Sequence, residues 1–411
     1  METIYRRCAG LDVHKETVEV NVRLLDERGH LQSEVRQFAT FTRDLLEMSD
    51  WLGGQGVTHV AMESTGVYWK PIFNVLEERF EVLLVNARHV KNVPGRKTDV
   101  RDCQWLAQLL QHGLLRGSFI PNREIRELRD LTRHRTQLVA EKVRVGNRIE
   151  KVLEDANIKL GSVASEVLGK SGRAMIKDII RGEKNVEKLA DHARKRLKNK
   201  KSDLRLALHG YIREHHRFML KLLWDQLMEV EKLIERIEKR IDEQMAPFEE
   251  AVERMDEIPG IDHRVAQTVI AEMGVDMNRF PTHRHLASWT GMCPGNNESA
   301  GKRKSGKTTK GNRWLRTALV QAAWAASHTK STYFSAQYSR LSRRRGRKRA
   351  LVAIGHSILV TIYYILKDHE CYRDLGHNYF DLLNQKYLTK HLVKRLESLG
   401  HKVSLEPLAA A

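Results

Sequence analysis

Three short segments carry acidic residues at positions typical of metal-dependent phosphoryl transfer. Asp12 follows an apolar run in GLDVHK, Glu63 follows another in AMESTG, and Asp99 and Asp102 lie in KTDVRD. If Asp99 begins a helix, the three-residue spacing places both aspartates on one face of that helix. Carboxylates at strand ends and on an adjacent helix are how ribonuclease-H-like folds hold two divalent cations. Mg²⁺ prefers such oxygen ligands, and a metal pair stabilises the attacking and leaving oxygens of a phosphoryl transfer.

Each acid also has a simpler interpretation. The chain contains 52 aspartates and glutamates, so a single acid at a strand end, such as Asp12, can be structural or solvated. Asp99 can be a helix cap, because an aspartate before a helix accepts a hydrogen bond from the first turn. Spacing alone leaves these interpretations open, and it is the ordered set of four acids that favours a metal site.

Ser299 is a candidate nucleophile because a strongly basic loop follows it. A serine hydroxyl reacts poorly unless it is oriented and its developing negative charge is met by cations or a base. Ser288 and Ser305 are candidates on the same grounds, and an ordinary loop serine is the alternative for each. The sequence identifies no general base.

Two basic segments are expected to contact the phosphates of a nucleic acid. The residues concerned are Lys302, Arg303, Lys304, Lys307, Lys310, Arg313, Arg316, Arg343, Arg344, Arg345, Arg347, Lys348 and Arg349. Trp289 and Trp314 flank the first segment and could stack on bases, although buried packing is the alternative for both.

Residues 301–308 match the P-loop pattern GxxxxGK[ST] letter for letter. A P-loop needs a buried strand before it and a helix after it, so that backbone N–H groups surround the phosphates. The preceding GNNESA has no strand character. We therefore expect a flexible basic loop along a nucleic-acid backbone, and not a nucleotide-binding loop.

The composition restricts the class of protein. The 411 residues include 71 lysines and arginines against 52 aspartates and glutamates, a formal charge of +19 at pH 7. Such a charge is typical of a protein that binds a polyanion. No run approaches the roughly 18 apolar residues of a membrane-spanning helix, and the N-terminus lacks a signal-peptide core. The four cysteines form no CxxC pair, which argues against a zinc knuckle or a disulfide framework.

Residues 1–115 alternate between strand-like and helix-like segments. Period-two alternation and short apolar runs predict strands at 4–13, 17–25, 31–38, 57–62 and 82–85. Helices are predicted at 42–52, 67–80 and 99–111. Strands followed by helices indicate a mixed α/β layer fold.

The character of the chain changes after Pro121. Residues 122–157 and 215–245 have apolar residues at helical spacing, which predicts two long helices. Residues 160–210 form a basic and less regular stretch between them. Two long helices joined by an insertion predict an antiparallel coiled arm. This arm is either a dimerisation or spacer element, or it lets the insertion contact nucleic acid.

A compact C-terminal domain is predicted from Met255 onward. The segment IPGI at 258–261 is typical of a helix-hairpin-helix, whose turn directs backbone N–H groups at a phosphate. A plain helix start is the alternative. Further helices are predicted at 313–326 and 350–366, with a basic run at 343–349 between them.

Taken together, the motifs resemble those of the insertion-sequence 110 family of transposases, also called DEDD transposases or bridge-RNA-guided recombinases. The resemblance rests on GLDVHK, AMESTGVYW, KTDVRDCQWLAQLL, IPGID…AEMG, LASWTGMCPG, ESAGKRKSGKTTKGNRWLR and the C-terminal Y-x-R-L…K-x-A-L-V-A-I. The motifs occur in the family's order and span residues 4–115 and 255–370, which is most of the chain. Their combination is specific, whereas any single motif is not.

The resemblance implies three parts. A RuvC-like domain of ribonuclease-H topology, with an α/β fold, occupies residues 1–118. A long antiparallel coiled-coil arm occupies residues 119–250 and carries the basic insertion at 160–210. A small, mostly helical transposase domain at 251–411 carries the catalytic serine and the helix-hairpin-helix-like segment.

The resemblance also implies the chemistry of the site. The family's four metal-binding acids fall on Asp12, Glu63, Asp99 and Asp102, which implies bound Mg²⁺, with Mn²⁺ as a substitute. Its catalytic serine falls on Ser299, which implies attack on the DNA backbone and a covalent phosphoserine intermediate. In this family the active site is completed between subunits, with the acids from one protomer and the serine from another.

The implied partners are donor and target DNA and a structured noncoding bridge RNA that pairs with both. Homodimers that assemble into tetramers are expected, and no association with a membrane is expected. The expected location is the cytoplasm of a prokaryotic cell, close to the nucleoid. The sequence departs from the family pattern at two places. Cys103 stands where alanine is commoner, and ESAGK, beginning at Glu298, stands where SSGGK is the usual form.

Two other functions are compatible with the residues. A RuvC-like structure-specific nuclease would use the acids alone and hydrolyse DNA with metal-activated water, without a covalent intermediate. A catalytically silent RNA- or DNA-binding protein would keep the acids as structural residues. The leading prediction is a site-specific DNA recombinase with Ser299 as its nucleophile.

Overall fold

The computed structural model of the protein describes residues 2–64, 66–86, 90, 102–295 and 297–406 and, of Asn297 and Arg303, only the backbone. The chain divides into two compact units, Met1–Ile120 and Pro121–Ala411. Each unit has a buried hydrophobic core of its own.

The first unit is built on a five-stranded sheet. Its strands are β1 (Arg7–Val13), β2 (Thr17–Leu25), β3 (Leu31–Ala39), β4 (His59–Glu63) and β5 (Glu81–Val85). Their order is β3-β2-β1-β4-β5. The first three strands are antiparallel neighbours, whereas β4 and β5 run parallel to β1. The predicted strands and the mixed α/β class are confirmed, and β2 has the ends that its alternation predicts.

Helices cover both faces of this sheet, namely α1 (Thr42–Gly54), α2 (Trp69–Leu76) and α3 (Asp102–Gln111). Leu11 and Val13 of β1 are buried in one core with side chains of α1 and α2. Cys8 of the same strand packs with Leu110 of α3 on the opposite face. Successive side chains of a strand point to opposite faces, so this alternation shows a strand that is covered on both sides.

The second unit begins with two long helices separated by shorter ones. In chain order these are α4 (Arg123–Asp155), α5 (Leu160–Val163), α6 (Lys170–Arg181), α7 (Val186–Asp191), α8 (Lys201–Leu208) and α9 (Glu214–Met245). The long helices α4 and α9 run antiparallel. Asp155 contacts His216 at one end (Oδ2 to Nε2, 2.9 Å), and Lys142 contacts Glu231 further along (Nζ to Oε1, 2.8 Å). Both predicted long helices are confirmed, and a coiled-coil form of their packing stays a prediction.

The insertion between the long helices is helical, whereas its sequence predicted a less regular stretch. Helices α5 to α8 and a 3₁₀ helix at Lys195–Lys200 form a core in which Met175 and Leu204 are buried with Trp224 of α9. The helix α5 has 4 residues and α6 has 12. The four residues of α5 contain too few turns for a hydrophobic periodicity to be recognised, whereas the apolar spacing of α6 is recognisable in the sequence and the prediction missed it.

The remainder of the second unit is a helical domain with a small hairpin. Its elements are α10 (Glu249–Asp256), α11 (His263–Met273), α12 (His283–Thr290), β6 (Asn297–Ser299), β7 (Lys302–Ser305), α13 (Arg313–His328), α14 (Tyr333–Arg345), α15 (Arg347–Asp368), α16 (Tyr379–Leu383) and α17 (Gln385–Ser398). The helix α15 packs on α12, α13 and α14 and buries Ile354, Ile358 and Ile362 among them.

In the part of the chain that the structure describes, α15 is the one helix that is long and apolar enough to cross a membrane. It has 22 residues and a mean hydropathy of 1.7 over an 18-residue window. The expectation that no segment approaches this length and apolarity is therefore wrong. Half of that window is buried inside the protein, so the core that α15 forms with its three neighbouring helices accounts for its apolar character.

The turn between α10 and α11 is packed against α13. Gly260 has a φ of +88°, and a Cβ atom at this position would lie 2.2 Å from the carbonyl oxygen of Ala322. The N–H groups of Ile258 and Ile261 donate to the carbonyls of Met255 and Ile258. The glycine is therefore required for the close approach of α13, and phosphate binding by a helix-hairpin-helix stays a prediction.

Candidate active site and nucleic-acid interface

Two of the predicted acids are neighbours at the carboxyl edge of the parallel strands. In the register of β1 and β4, Leu11 is opposite Met62, so the next residues, Asp12 and Glu63, lie side by side. Adjacent strands are about 4.8 Å apart, and residues at matching positions point to the same face of the sheet. The register therefore predicts that Asp12 and Glu63 are neighbours on the same face of the sheet, one residue beyond the last paired positions of β1 and β4.

Helix α3 brings a third acid to this edge. Asp102 is its first residue, and the negative charge of Asp102 contributes to a raised pKa of Asp12. At the other end of α3, Gln111 accepts a hydrogen bond from Nε of Arg23 (2.8 Å), which lies opposite Cys8 in the sheet. The helix therefore runs antiparallel to β1, and its N-terminus, which favours negative charge, is at the acidic edge.

Gly10 allows α3 to lie directly on the sheet. A Cβ atom at this position would be 2.3 Å from the amide nitrogen of Ala107 and 2.3 Å from the carbonyl oxygen of Cys103. Side chains do not approach backbone atoms this closely, so only glycine fits without moving the helix. Gly10 lies two residues before Asp12 on the same face of β1. Because Asp102 is the first residue of α3, the close contact of α3 with Gly10 also fixes the position of Asp102 relative to Asp12.

We expect Gly10→Ala to destabilise the protein by about 1–3 kcal/mol, because the added methyl group forces α3 away from β1. Urea unfolding followed by circular dichroism measures this change. Gly54→Ala is the matched control, since a Cβ atom at Gly54 meets nothing within 4 Å. Its free energy of unfolding is expected to stay the same or rise. Equal free energies of unfolding for Gly10→Ala and Gly54→Ala would contradict the close contact between α3 and Gly10.

The acidic edge concentrates negative charge. Burial raises the pKa of the Asp12 carboxyl above its ordinary value; His14 opposes this shift, and the charges of Asp102 and Glu19 add to it. Nε2 of His14 lies 3.3 Å from Oδ2 of Asp12. Carboxylates that repel one another in this way are stabilised in their charged form by a nearby cation.

The fourth predicted acid, Asp99, lies outside the described residues. Within the ranges that the structure describes, no group of three or more His, Cys, Asp or Glu side chains is arranged to hold a metal ion. The acids that are described nevertheless fit Mg²⁺ in chemical type, because Asp12, Glu63 and Asp102 offer only oxygen ligands. Asp12 also faces like charges that a cation would neutralise.

Ser299 lies in the hairpin of the second unit. It is the last residue of β6 and is paired with Lys302, the first residue of β7. Ala300 and Gly301 between them have φ angles of +49° and +71°, as a two-residue type I′ turn requires. Cross-strand partners carry their side chains on the same side, so the exposed hydroxyl of Ser299 has the Lys302 ammonium group on its side of the hairpin.

Two glycines close the base of the loop that carries this hairpin. A Cβ atom on Gly311 would lie 2.3 Å from the amide nitrogen of Gly291, so the two backbone segments touch. Asn312 follows directly and caps the N-terminus of α13, because its side-chain oxygen accepts hydrogen bonds from the N–H groups of Trp314 and Leu315. The hairpin is therefore built on a closed and capped base.

A buried glutamate joins this base to the long helix α4. Glu272 of α11 is 0% exposed and accepts a hydrogen bond from Nδ2 of Asn312 (2.6 Å) and two from Arg133 (2.7 and 2.8 Å). Arg129 donates to the carbonyl oxygen of Glu272 (2.5 Å). Burial lowers the pKa of Arg129 to about 10, although the charge of Glu272 opposes this shift. Removal of one partner from such a buried network leaves an uncompensated charge.

A basic cleft of about 1230 Å³ lies between this loop and helices α14 and α15. It is lined by six of the predicted nucleic-acid-binding residues, Lys304, Lys307, Arg316, Arg345, Lys348 and Arg349. Lys304 is the extra residue of a β-bulge in β7, and such bulges redirect a side chain. No aspartate or glutamate is among the described residues that line the cleft, so its charge suits a phosphodiester backbone.

The side chain of one further predicted contact, Arg303, lies outside the described part of the chain. The remaining six predicted contacts are exposed but do not line the cleft. These residues are Lys302, Lys310, Arg313, Arg343, Arg344 and Arg347. Sequence reasoning missed Gln337 and His356, which line the cleft. Burial lowers the pKa of His356, and its Nδ1 donates to the carbonyl of Met292 (3.2 Å). Neither residue lies in a basic run, so the sequence contains no signal for them.

The two tryptophans beside the loop are half-buried. The ring centre of Trp289 is 5.6 Å from that of Phe280. Guanidinium groups of Arg133 and Arg313 lie 5.7 and 4.6 Å from the ring centre of Trp314. These contacts favour packing within the protein over stacking on bases.

The acid-bearing α/β unit and the basic, serine-bearing helical unit together define a nucleic-acid-processing protein. Residues 9–158 match a family model of transposases of the DEDD IS110 type, and residues 252–339 match the model "Transposase IS116/IS110/IS902 family". The chain belongs to the IS110 family of transposases, which confirms the resemblance seen in the sequence. It is thus a DNA-processing enzyme with a transposase or recombinase role. A comparison with curated proteins gave no match.

Proposed function

We propose that the protein is a site-specific DNA recombinase in which Ser299 attacks the DNA backbone. In this proposal Asp12, Glu63, Asp99 and Asp102 hold Mg²⁺, with Mn²⁺ as a substitute. The observation that carries the proposal is the shared sheet edge of the three described acids, set by strand register and by the start of α3. Acids collected at one edge against their mutual repulsion are expected where a cation and a phosphate are bound.

Ser299 forms the new covalent bond. Its Oγ attacks the phosphorus of a phosphodiester, and the bond from that phosphorus to one sugar oxygen breaks. The serine hydroxyl loses its proton, and the freed sugar oxygen takes up a proton to become a hydroxyl. The resulting phosphoserine is itself a phosphodiester, so a sugar hydroxyl from a second DNA end can attack it and regenerate the serine. The number of phosphodiester bonds is unchanged, and the reaction requires no nucleotide cofactor.

Lys302 supports this step by its charge. Negative charge is spread over the phosphate oxygens in the transition state of phosphoryl transfer. The pairing of Lys302 with Ser299 puts an ammonium group on the side of the hairpin from which the serine attacks.

Bound Mg²⁺ would polarise the phosphate and stabilise charge on the attacking and leaving oxygens. The chain contributes by fixing the acids through its backbone. Strand pairing sets Asp12 beside Glu63, and the contact of α3 with Gly10 sets Asp102. Ligands on strands and helices hold their geometry better than ligands on loops.

The basic cleft and the charge of the chain support further nucleic-acid partners. The net charge is +19, and the six cations of the cleft can neutralise several phosphates. We propose donor and target DNA as substrates, a structured bridge RNA as guide, and homodimers that assemble into tetramers as the working form.

Metal removal tests the proposal. Purified protein, an RNA transcribed from the element and end-labelled DNA carrying the element's ends are expected to form a covalent protein–DNA adduct on a denaturing gel. The adduct should require Mg²⁺ or Mn²⁺ and should disappear with EDTA, because the acids alone repel phosphate. Undiminished adduct in EDTA would remove the metal from the proposal. Metal-dependent cleavage that never yields an adduct would replace the recombinase by a nuclease.

A further inference from the structure

A second cavity shares a wall with the basic cleft and differs from it in character. It has a volume of about 580 Å³, and His356 and Ser357 of α15 line both cavities. The rings of Tyr333, Tyr364 and Tyr372 line this aromatic pocket as well. Its volume is within the range of roughly 300–1,000 Å³ in which proteins bind small organic groups.

Tyr364 offers an open aromatic surface in the pocket. It is 45% exposed although it lies on the core helix α15. Its hydroxyl oxygen is 3.1 Å from Nδ1 of His283, and the two ring centres are 5.7 Å apart. Accessible aromatic rings are what proteins that bind single strands use to stack bases.

The acidic residues of the pocket distinguish it from the cleft. Asp368 and Glu370 line the aromatic pocket together with a single arginine, Arg373. Two carboxylates disfavour a phosphate, but they accept hydrogen bonds from the amino groups of nucleobases. The charge of the cleft thus suits the phosphate of a nucleotide, and the rings and acids of the pocket suit its base.

We infer that the aromatic pocket binds an unstacked nucleobase from a single strand whose phosphates lie in the basic cleft. The wall shared at His356 and Ser357 places the two sites next to each other, as the base and phosphate of one strand require. The inference rests on the proposed function, because it takes the cleft to hold phosphates. Strand exchange leaves bases near a cut temporarily unpaired, which supplies the pocket with its ligand.

Single-strand affinity of Tyr364 variants tests this inference. Fluorescence anisotropy with labelled single-stranded DNA, single-stranded RNA and duplex DNA of equal length gives the dissociation constants. Tyr364→Ala is expected to weaken single-strand binding about tenfold, the usual loss of one stacked base, and to change duplex binding less than twofold. Tyr364→Phe keeps the ring and is expected to bind like the parent protein. The DNA and RNA arms show which strand occupies the pocket.

Cys371 provides an independent measure of occupancy. It is exposed and lines the pocket, whereas Cys8 and Cys103 are buried and Cys293 is half-buried. Alkylation of Cys371 by a maleimide, mapped by peptide mass, is expected to slow several-fold when a single strand is added. Duplex DNA at a concentration that saturates the cleft should protect it less.

The outcomes separate this inference from the proposed function. Equal single-strand affinity of Tyr364→Ala and the parent, or unprotected Cys371 at saturation, would overturn the nucleobase pocket while leaving the recombinase intact. Failure of Lys348→Ala combined with Arg349→Ala to weaken duplex binding would instead remove the basic cleft from the proposed function. Melting curves of each variant exclude loss of fold as the cause.

Discussion

Replacement of Ser299 by alanine is expected to abolish the covalent protein–DNA adduct and all strand exchange. The hydroxyl is the atom that bonds to phosphorus in the proposed reaction, and alanine has no substitute for it. Ser299 is exposed in the pair that flanks the hairpin turn, so its loss should leave the melting temperature and the affinity for RNA unchanged. Adduct formation on a denaturing gel and recombination of a plasmid reporter measure the effect.

The chain offers two matched controls for this experiment. Ser305 is in the opposite strand of the same hairpin, and Ser288 is exposed on α12; both are alternative nucleophiles by sequence. Ser288→Ala and Ser305→Ala are expected to form the adduct normally. Recombination that persists in Ser299→Ala, or an adduct lost only in one of the controls, would assign the nucleophile elsewhere. Cleavage that persists without any adduct would favour the RuvC-like nuclease.

Asp12→Asn is expected to lower the rate of adduct formation and strand exchange by roughly 10³-fold or more, since a metal site contributes several kcal/mol to phosphoryl transfer. The same change should preserve or raise the melting temperature. Asparagine has the shape of aspartate but removes a half-buried charge that faces the charges of Asp102 and Glu19. A loss of activity without a loss of stability is the signature of a residue kept for function.

Glu19→Gln is the control for Asp12→Asn. Glu19 lies directly opposite Asp12 in β2, and its charge also raises the pKa of Asp12, but it is not among the four predicted metal ligands. The rate of strand exchange by Glu19→Gln is expected to stay within about threefold of the parent rate, a change in activation free energy of well under 1.4 kcal/mol. If Asp12→Asn and Glu19→Gln lose activity equally, the activity depends on the total negative charge of the acidic edge and not on metal ligation by Asp12. If Asp12→Asn retains full activity, the metal site is wrong.

The sequence predicted much of the acidic edge because its signals are local. Apolar runs that end in Asp12 and Glu63 predict strands with acids at their carboxyl ends, and both acids directly follow the last paired residues of β1 and β4, Leu11 and Met62. The requirement for glycine at position 10 depends on the backbone of α3, which is more than 90 residues away in the chain. No local pattern encodes such a contact, so only the folded structure shows how Asp102 is positioned.

The basic cleft illustrates the same limit in the second unit. The basic runs that contain Lys304 and Arg349 predict phosphate contacts, but the convergence of these runs on one cleft depends on how α14 and α15 pack. The P-loop pattern at residues 301–308 is a different case, because the sequence itself predicted that this segment does not bind a nucleotide. Residues 302–305 of that pattern form strand β7, and the next helix begins only at Arg313. The expectation of a flexible loop with no strand before it is wrong, because β6 lies within GNNESA and pairs with β7 in a hairpin. The absence of nucleotide binding stays a prediction.

The network around Glu272 has a structural consequence. Arg129 and Arg133 join the first turns of α4 to Asn312, where the serine-bearing loop ends. From these contacts α4 continues for about 35 Å, at 1.5 Å per residue, to the helical insertion at its far end. One continuous helix, α4, therefore connects the base of the loop that carries Ser299 to the core of the helical insertion.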